Sequence, residues 1–231
     1  MIKIRVVIID DERAARDELK RLLENYRDFE IAGEARNADE AKAMIQTLQP
    51  DLIFLDIQMP GKTGFDLLES LEKVPQVIFI TAFDHYAVKA FEVSALDYLM
   101  KPVRDERFEK AITQARAKLA THKDEQIFVK DRHQYHFIAW RDVYLIESMD
   151  NYARLYFKDK NVFLKSSLNE LEKKLNGDTF LRINRAQIIN IDFVDKISAM
   201  QNGQVKLTLK TGGEYEASAR RSVKIKNMGR V

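Results

Sequence analysis

The sequence predicts an α/β domain built on a doubly wound, five-stranded parallel sheet, followed by a mostly antiparallel β domain. Three observations carry this expectation. In the first half of the 231-residue chain, five short apolar runs alternate with stretches of helical periodicity, the pattern of a parallel sheet covered on both faces. In the second half, alternation of period two takes over. The charge also divides. Residues 1–126 carry 19 Lys and Arg against 24 Asp and Glu, a net of −5, and residues 127–231 carry 19 against 12, a net of +7. An acidic half beside a basic half points to two jobs, the basic one suited to a polyanion.

The elements follow in chain order. Ile4–Ile9 is continuous and β-branched, as a strand buried on both faces would be. Leu19, Leu22, Leu23 and Tyr26 fall at helical spacing. Glu30–Ala35 reads as a strand, and Asp39–Leu48 as a helix with acids in its first turn. Leu52–Leu55 is a buried strand ending at Asp56, and Thr63–Asp66 resembles a capping box opening a helix that runs to Lys73. Val77–Ile80 is a strand ending at Thr81. A short helix around Ala87–Phe91 precedes strand Asp97–Met100, and Phe108, Ile112, Ala115 and Leu119 line a last helix. The first domain therefore spans 1–119, a polar aperiodic linker spans 120–126, and the second domain spans 127–231. There Val205, Leu207 and Leu209 alternate with Lys206, Thr208 and Lys210, and Asn202–Gly203 and Gly212–Gly213 signal hairpin turns. Ser167–Glu170 is a capping box before the one clear helix, Leu168–Leu175.

Composition excludes several classes. The chain has no Cys, hence no disulfide framework and no thiolate zinc site. No apolar run approaches ~18 residues, so no membrane span is expected. The opening apolar stretch runs straight into Asp10 and Asp11 rather than into a cleavage site, so the expectation is a soluble, cytoplasmic protein. Asp10–Arg16 (DDERAAR) lacks glycine, which argues against a P-loop or dinucleotide site.

In an open α/β sheet, function gathers at the carboxyl ends of the strands. Those ends here carry Asp10, Asp11 and Glu12, then Asp56, then Thr81, then Lys101 before Pro102. Taken singly, each has an ordinary structural role, such as a turn former, a helix cap or a solvated charge. Together they make a chemistry. Converging carboxylates repel unless a hard cation such as Mg2+ sits among them. A hydroxyl at Thr81 and an ammonium at Lys101 suit an incoming phosphoryl group, with Asp56 as nucleophile.

Asp10–Asp11–Glu12, Asp56–Gly61 (DIQMPG), Thr81–Ala82 and Tyr98–Pro102 (YLMKP) closely resemble the signature of response-regulator receivers, which have a flavodoxin-like fold. The resemblance covers about residues 1–120. It implies that Asp56 accepts phosphate from the phosphohistidine of a sensor histidine kinase. It implies Mg2+ held by Asp11, Asp56 and the backbone carbonyl of Gln58, with Asp10 assisting. It also implies a cis Lys101–Pro102 bond and a switch in which Thr81 and Tyr98 move together. That switch would re-form a dimer face around the helix near 87–91, strand 97–100 and the last helix, where Lys89, Glu92, Asp97 and Arg116 could pair. Gln58 and Phe83 would tune hydrolysis of the phosphoryl group.

In the basic half, Val143–Tyr152 (VYLIESMDNY), Phe180–Ile197 and Ala217–Arg221 (ASARR) resemble LytTR DNA-binding domains, although that family often has His where Asn184 stands. The resemblance implies small antiparallel sheets that meet double-stranded promoter DNA through loops. The contact residues by motif position are Asn151 and Tyr152, then Asn184 and Arg185, then Arg220, Arg221 and Lys224. Arg can read guanine and Asn adenine, while Lys meets phosphate. His133 and His136 are not expected to form a metal site, because strand alternation points them to opposite faces. The reading is a phosphorylation-controlled transcription factor, dimeric when phosphorylated or DNA-bound, and not a metabolic enzyme. A receiver whose basic half binds RNA or protein, and a phosphatase using Asp56, are the alternatives.

Overall fold

Val6, Val7, Ile8 and Ile9 are buried on both faces, as a central parallel strand requires. They belong to β1 (Ile4–Ile9), the first strand of a computed structural model that describes residues 3–82, 95–121, 125–131 and 134–227. The chain divides into two units, Met1–Trp140 and Arg141–Val231.

In the first unit β1 is followed by α1 (Arg13–Leu23), β2 (Phe29–Ala35), α2 (Ala38–Leu48), β3 (Leu52–Asp56), α3 (Gly64–Glu69), β4 (Gln76–Thr81), β5 (Asp97–Met100) and α4 (Asp105–Thr121). The five strands form one parallel sheet in the order β2-β1-β3-β4-β5. Alternate side chains feed two cores. Val6, Ile8, Phe54 and Ile80 pack with Leu19 and Leu22 of α1 and Phe108 and Ile112 of α4. Val7, Ile9, Leu55 and Phe79 pack with Ala41 and Ile45 of α2 and Phe65 and Leu68 of α3. Helices thus cover both faces, as the periodicity predicts. The expected helix around 87–91, together with Phe83, Lys89 and Glu92, lies outside the described residues.

Two helix ends follow from local chemistry. The α3 capping box is present: the Asp66 amide donates to Thr63 Oγ1 at 3.2 Å, and the Thr63 amide donates to Asp66 Oδ2 at 2.8 Å. The helix stops at Glu69, short of the expected Lys73. The Ser70 amide is shared between the Asp66 and Leu67 carbonyls, Leu71 donates to Leu68 three residues back, and Ser70 Oγ also donates to the Leu67 carbonyl, tightening the last turn.

Glu125 and Gln126, at the end of the expected linker, pair with this unit. Beyond α4, β6 (Gln126–Asp131) and β7 (Gln134–Ala139) form a hairpin. Val74 donates to the Gln126 carbonyl at 3.0 Å, Gln126 Nε2 donates to Pro75 O at 2.7 Å, and Lys73 pairs with Glu125. Phe128 enters the core on the α2–α3 side. Tyr135 stacks on Phe65 at 4.7 Å and 9°, and on Phe128 at 5.3 Å. The segment from 127 onward, expected in the second domain, therefore begins with a hairpin packed on α3.

The second unit holds β8 (Val143–Met149), β9 (Tyr152–Phe157), β10 (Lys160–Leu164), α5 (Leu168–Lys174), β11 (Phe180–Arg182), β12 (Gln187–Asn190), β13 (Val194–Ala199), β14 (Val205–Leu209), β15 (Glu214–Glu216) and α6 (Ala219–Asn227). Antiparallel pairing gives one sheet in the order β10-β9-β8-β12-β11 and another in the order β13-β14-β15. The predicted turns are present, with Gly203, Gly212 and Gly213 at positive φ. Val205, Leu207 and Leu209 are buried as alternation requires, and Ser167 and Glu170 form the capping box of α5. A second helix, α6, corrects the expectation of one. It carries four cations and buries only Ser222 and Ile225, too narrow a stripe to be read as periodicity. Across the larger sheet, Tyr156 donates to Glu147 at 2.6 Å, and Gln187 Nε2 donates to the other Glu147 oxygen at 2.8 Å.

Truncating Phe128 to Ala removes a buried ring from the hairpin–α3 contact. It should cost about 3–5 kcal/mol, read as a lower urea midpoint; an unchanged midpoint counts against this packing. Burial, then the Glu147 hydrogen bond, pushes the Tyr156 phenol from 10.0 up to about 12. The fold thus favours the protonated phenol, so its stabilisation is whole below pH 10.0 and is lost as pH rises through about 12. Over that window the wild-type urea midpoint should fall further than that of Tyr156→Phe; parallel curves would contradict it.

Candidate functional site

The sheet order reverses between β1 and β3, and the crevice at that switch point is where open α/β sheets bind ligands. Asp10 and Asp11 follow β1, and Asp56 ends β3, so the carboxylates flank this crevice. Single oxygens from Asp10, Asp11 and Asp56 lie within 4.8 Å of one another. Lys101, just beyond β5, reaches back over the sheet end. Its Nζ lies 2.8 Å from Asp56 Oδ2, 2.8 Å from Asp10 Oδ2 and 3.4 Å from Glu12 Oε2. The Lys101–Pro102 bond is cis, as the motif implies.

Backbone donors fix the carboxylates. The Glu12 amide donates to Asp10 Oδ1 at 3.0 Å, and the Gln58 amide donates to Asp56 Oδ1 at 3.1 Å. Arg16 donates to the carbonyls of Asp10 and Asp11 at 2.8 and 3.2 Å and to Glu34 at 3.2 Å, which pins the β1–α1 turn. Gly64 is required by close approach, since a Cβ there would sit 2.5 Å from the Asp56 carbonyl oxygen. Neither Arg16 nor Gly64 was expected from sequence. One lies on the polar face of a helix, the other in a capping segment, and no spacing marks either.

Burial pushes the Asp10 carboxyl above its usual range, and Lys101 only partly opposes this. For Lys101, burial favours the neutral amine, but its contacts with the Asp10 and Asp56 carboxylates outweigh it and hold the ammonium well above its ordinary value. Among the described residues, two buried side-chain oxygens have no hydrogen bond: Thr81 Oγ1 and Asp10 Oδ2, the latter an ion-pair contact of Lys101. With one ammonium against three clustered carboxylates and an all-oxygen donor set, these residues fit a hard divalent cation. The buried Thr81 hydroxyl sits on the strand next to Asp56. Tyr98 is buried on β5, and Gln58 is exposed. Asp97 and Arg116 are engaged within the unit, with Arg107 at 2.8 Å and Asp28 at 2.7 Å respectively.

In the second unit, backbone bonds draw two of the predicted loops and the start of α6 to one end; Arg220, Arg221 and Lys224, expected on a third loop, lie on that helix instead. Ser148 N donates to Ala186 O at 2.8 Å, and Ser218 N donates to Ile183 O at 2.9 Å. Asn184 Nδ2 donates to Glu216 O at 3.0 Å and to Gln187 Oε1 at 2.9 Å, and its Oδ1 accepts from Ala186 N at 2.9 Å. Asn184 thus ties the loops together, extending the Tyr156–Glu147–Gln187 chain. Asn151, Tyr152, Arg185, Arg220 and Lys224 are exposed. Arg221 is half-buried and donates to Glu172 at 2.8 Å. His133 lies outside the described residues, and the one group of potential metal ligands among the described residues is the Asp10–Asp11–Asp56 cluster.

Comparison with known proteins finds two family matches along the chain. Residues 6–113 match the response regulator receiver domain family, and residues 133–230 match the LytTr DNA-binding domain family. The transcriptional regulatory protein BtsR of Salmonella typhi is 36% identical over 229 residues, covering 94% of this chain and 95% of that protein. The sensory transduction protein LytT of Bacillus subtilis is 31% identical over 245 residues, covering 97% and 98%. Among solved structures, the response regulatory domain of protein mrkE from Klebsiella pneumoniae is 30% identical, with a TM-score of 0.47 over 51% of this chain and 99% of that one. The acidic crevice lies in the receiver match, the two converging loops and α6 lie in the DNA-binding match, and the chain belongs to the response regulators that join a receiver domain to a LytTR DNA-binding domain.

Proposed function

We propose that the chain is a phosphorylation-controlled transcription factor whose phosphoryl acceptor is Asp56. The observation that carries this reading is the geometry of the crevice: Asp56 within reach of Asp10 and Asp11, with the Lys101 ammonium at 2.8 Å. A carboxylate oxygen of Asp56 attacks the phosphorus of a sensor kinase's phosphohistidine. The P–N bond breaks, its electron pair returns to the imidazole nitrogen, and an acyl phosphate forms. Lys101 pairs with one phosphoryl oxygen and the Thr81 hydroxyl donates to another. Asp10, Asp11, Asp56 and the Gln58 carbonyl would hold Mg2+, which when bound neutralises charge on the phosphoryl oxygens.

Drawing Thr81 toward the new oxygens changes the packing beside Tyr98 and so the surface around β5 and α4. That surface serves a homodimer. Asp97 and Arg116 already have partners in the chain, so a dimer there exchanges internal ion pairs for intermolecular ones. The output is cytoplasmic binding of double-stranded promoter DNA. Arg185 and Arg220 contribute exposed guanidiniums for base edges, Lys224 meets phosphate, and Asn151 and Tyr152 form the third contact. Asn184 and Arg221 support this surface from within it.

Asp56→Asn should abolish Mg2+-dependent labelling by acetyl phosphate or by a cognate kinase. Labelling retained in that variant would remove Asp56 from its role. Arg185→Ala and Arg220→Ala should each weaken binding to a promoter duplex by about 1–3 kcal/mol while leaving labelling intact. Wild-type DNA affinity in both would displace the contact surface from these loops.

A further inference from the structure

Arg182 was not among the expected contacts, yet its guanidinium is the most heavily used cation of the second unit's loop cluster. Its side chain is only 10% exposed. Nε donates to the Asn184 carbonyl at 2.9 Å, and Nη2 donates to the Arg185 carbonyl at 2.7 Å. Nη1 donates to Asn169 Oδ1 at 2.9 Å and to Glu172 Oε2 at 3.3 Å, both on α5. The second Glu172 oxygen takes Arg221 Nη2 at 2.8 Å. One carboxylate therefore joins two arginines, and through them the β11–β12 loop and the start of α6.

We infer that Arg182, anchored by Asn169 and Glu172 of α5, is the positioning residue of the DNA-reading surface, fixing the backbone that presents Arg185 without touching DNA itself. The inference rests on the DNA-binding reading above and deepens it. The chemistry selects arginine. Consecutive loop carbonyls in two directions, with an amide oxygen and a carboxylate behind them, match the planar donor fork of a guanidinium. A lysine ammonium is a point charge with three donors on a flexible stem and cannot span the same four acceptors. Nearly buried and committed to four acceptors, Arg182 has little left for a phosphate, whereas its neighbour Arg185 is exposed.

The distinction is measurable, because base reading and phosphate attraction respond differently. Base reading sets the ratio of specific to non-specific affinity, and phosphate contacts set the slope of affinity against salt. The probe is a fluorescent duplex bearing the sequence that the full-length wild-type chain enriches from a random duplex library, compared with the same duplex scrambled. Arg182→Lys should cut the specific-to-scrambled affinity ratio about tenfold or more, the scale of one misread base pair. Scrambled-duplex affinity, salt slope and acetyl phosphate labelling should stay at wild-type levels. A salt slope lowered by about one would make Arg182 a phosphate contact and overturn the inference. So would an unchanged ratio, or an equal fall on both duplexes. If Arg182→Lys does not fold, the double variant Asn169→Ala/Glu172→Ala releases the guanidinium from α5 while leaving both carbonyl bonds, and an unchanged ratio in it overturns the inference. Arg185→Ala separates the two failures. If it weakens specific binding while Arg182→Lys does not, the surface stands and the positioning role falls; a wild-type chain that enriches no sequence overturns both.

Discussion

Asp10 and Asp56 end neighbouring strands, are almost wholly buried, and share the single ammonium of Lys101. Much of the first unit is arranged around keeping that cluster tolerable. Burying a carboxylate costs several kcal/mol unless charge and hydrogen bonds compensate. Compensation here comes from three directions: the cation from beyond β5, the amides of Glu12 and Gln58, and Arg16 holding the turn that carries Asp10 and Asp11. It is still incomplete, since burial holds the Asp10 carboxyl above its usual range despite Lys101. A hydrophobic crevice would be more stable. Retaining an under-neutralised one is what the proposed cation and the proposed chemistry on Asp56 require.

The second unit handles charge in the opposite sense. Its cations fall into two populations that sequence alone cannot separate. Arg182 and Arg221 are turned to internal acceptors and shape the loops, whereas Arg185, Arg220 and Lys224 remain exposed. The net of +7 over residues 127–231 therefore overstates the charge available to a polyanion at this end of the unit. Part of it is spent on structure through Glu172. The same division explains Asn184, whose amide is committed to Gln187, Glu216 and Ala186.

The crevice was legible in the sequence because strand ends are legible. Continuous β-branched runs locate the strands, parallel winding puts their carboxyl ends together, and the residues that follow are then neighbours whatever their separation along the chain. Hence Asp10, Asp56, Thr81 and Lys101 could be placed together from residues scattered over the first 101 positions. Arg16, Gly64 and Arg182 could not, because each acts on a backbone carbonyl, and carbonyls carry no residue identity to be read. Helix α6 escaped for a different reason: a helix that buries only Ser222 and Ile225 offers too few apolar positions to set a period.

The hairpin β6–β7 shows where a sequence boundary and a packing boundary part. The polar stretch before it has the composition of a linker, and the alternation after it matches the β-rich half. Yet Phe128 and Tyr135 close a three-ring stack on Phe65, and pairing of Gln126 with Val74 and Pro75 pins the first strand. Composition reports how a segment meets water, not which surface its aromatic face will cover. Phe65 is the second residue of α3, and Gly64 before it touches the Asp56 carbonyl so closely that no Cβ fits. The Asp56 carbonyl and the hairpin thus contact two adjacent residues of α3, Gly64 on one side and Phe65 with its stack of rings on the other.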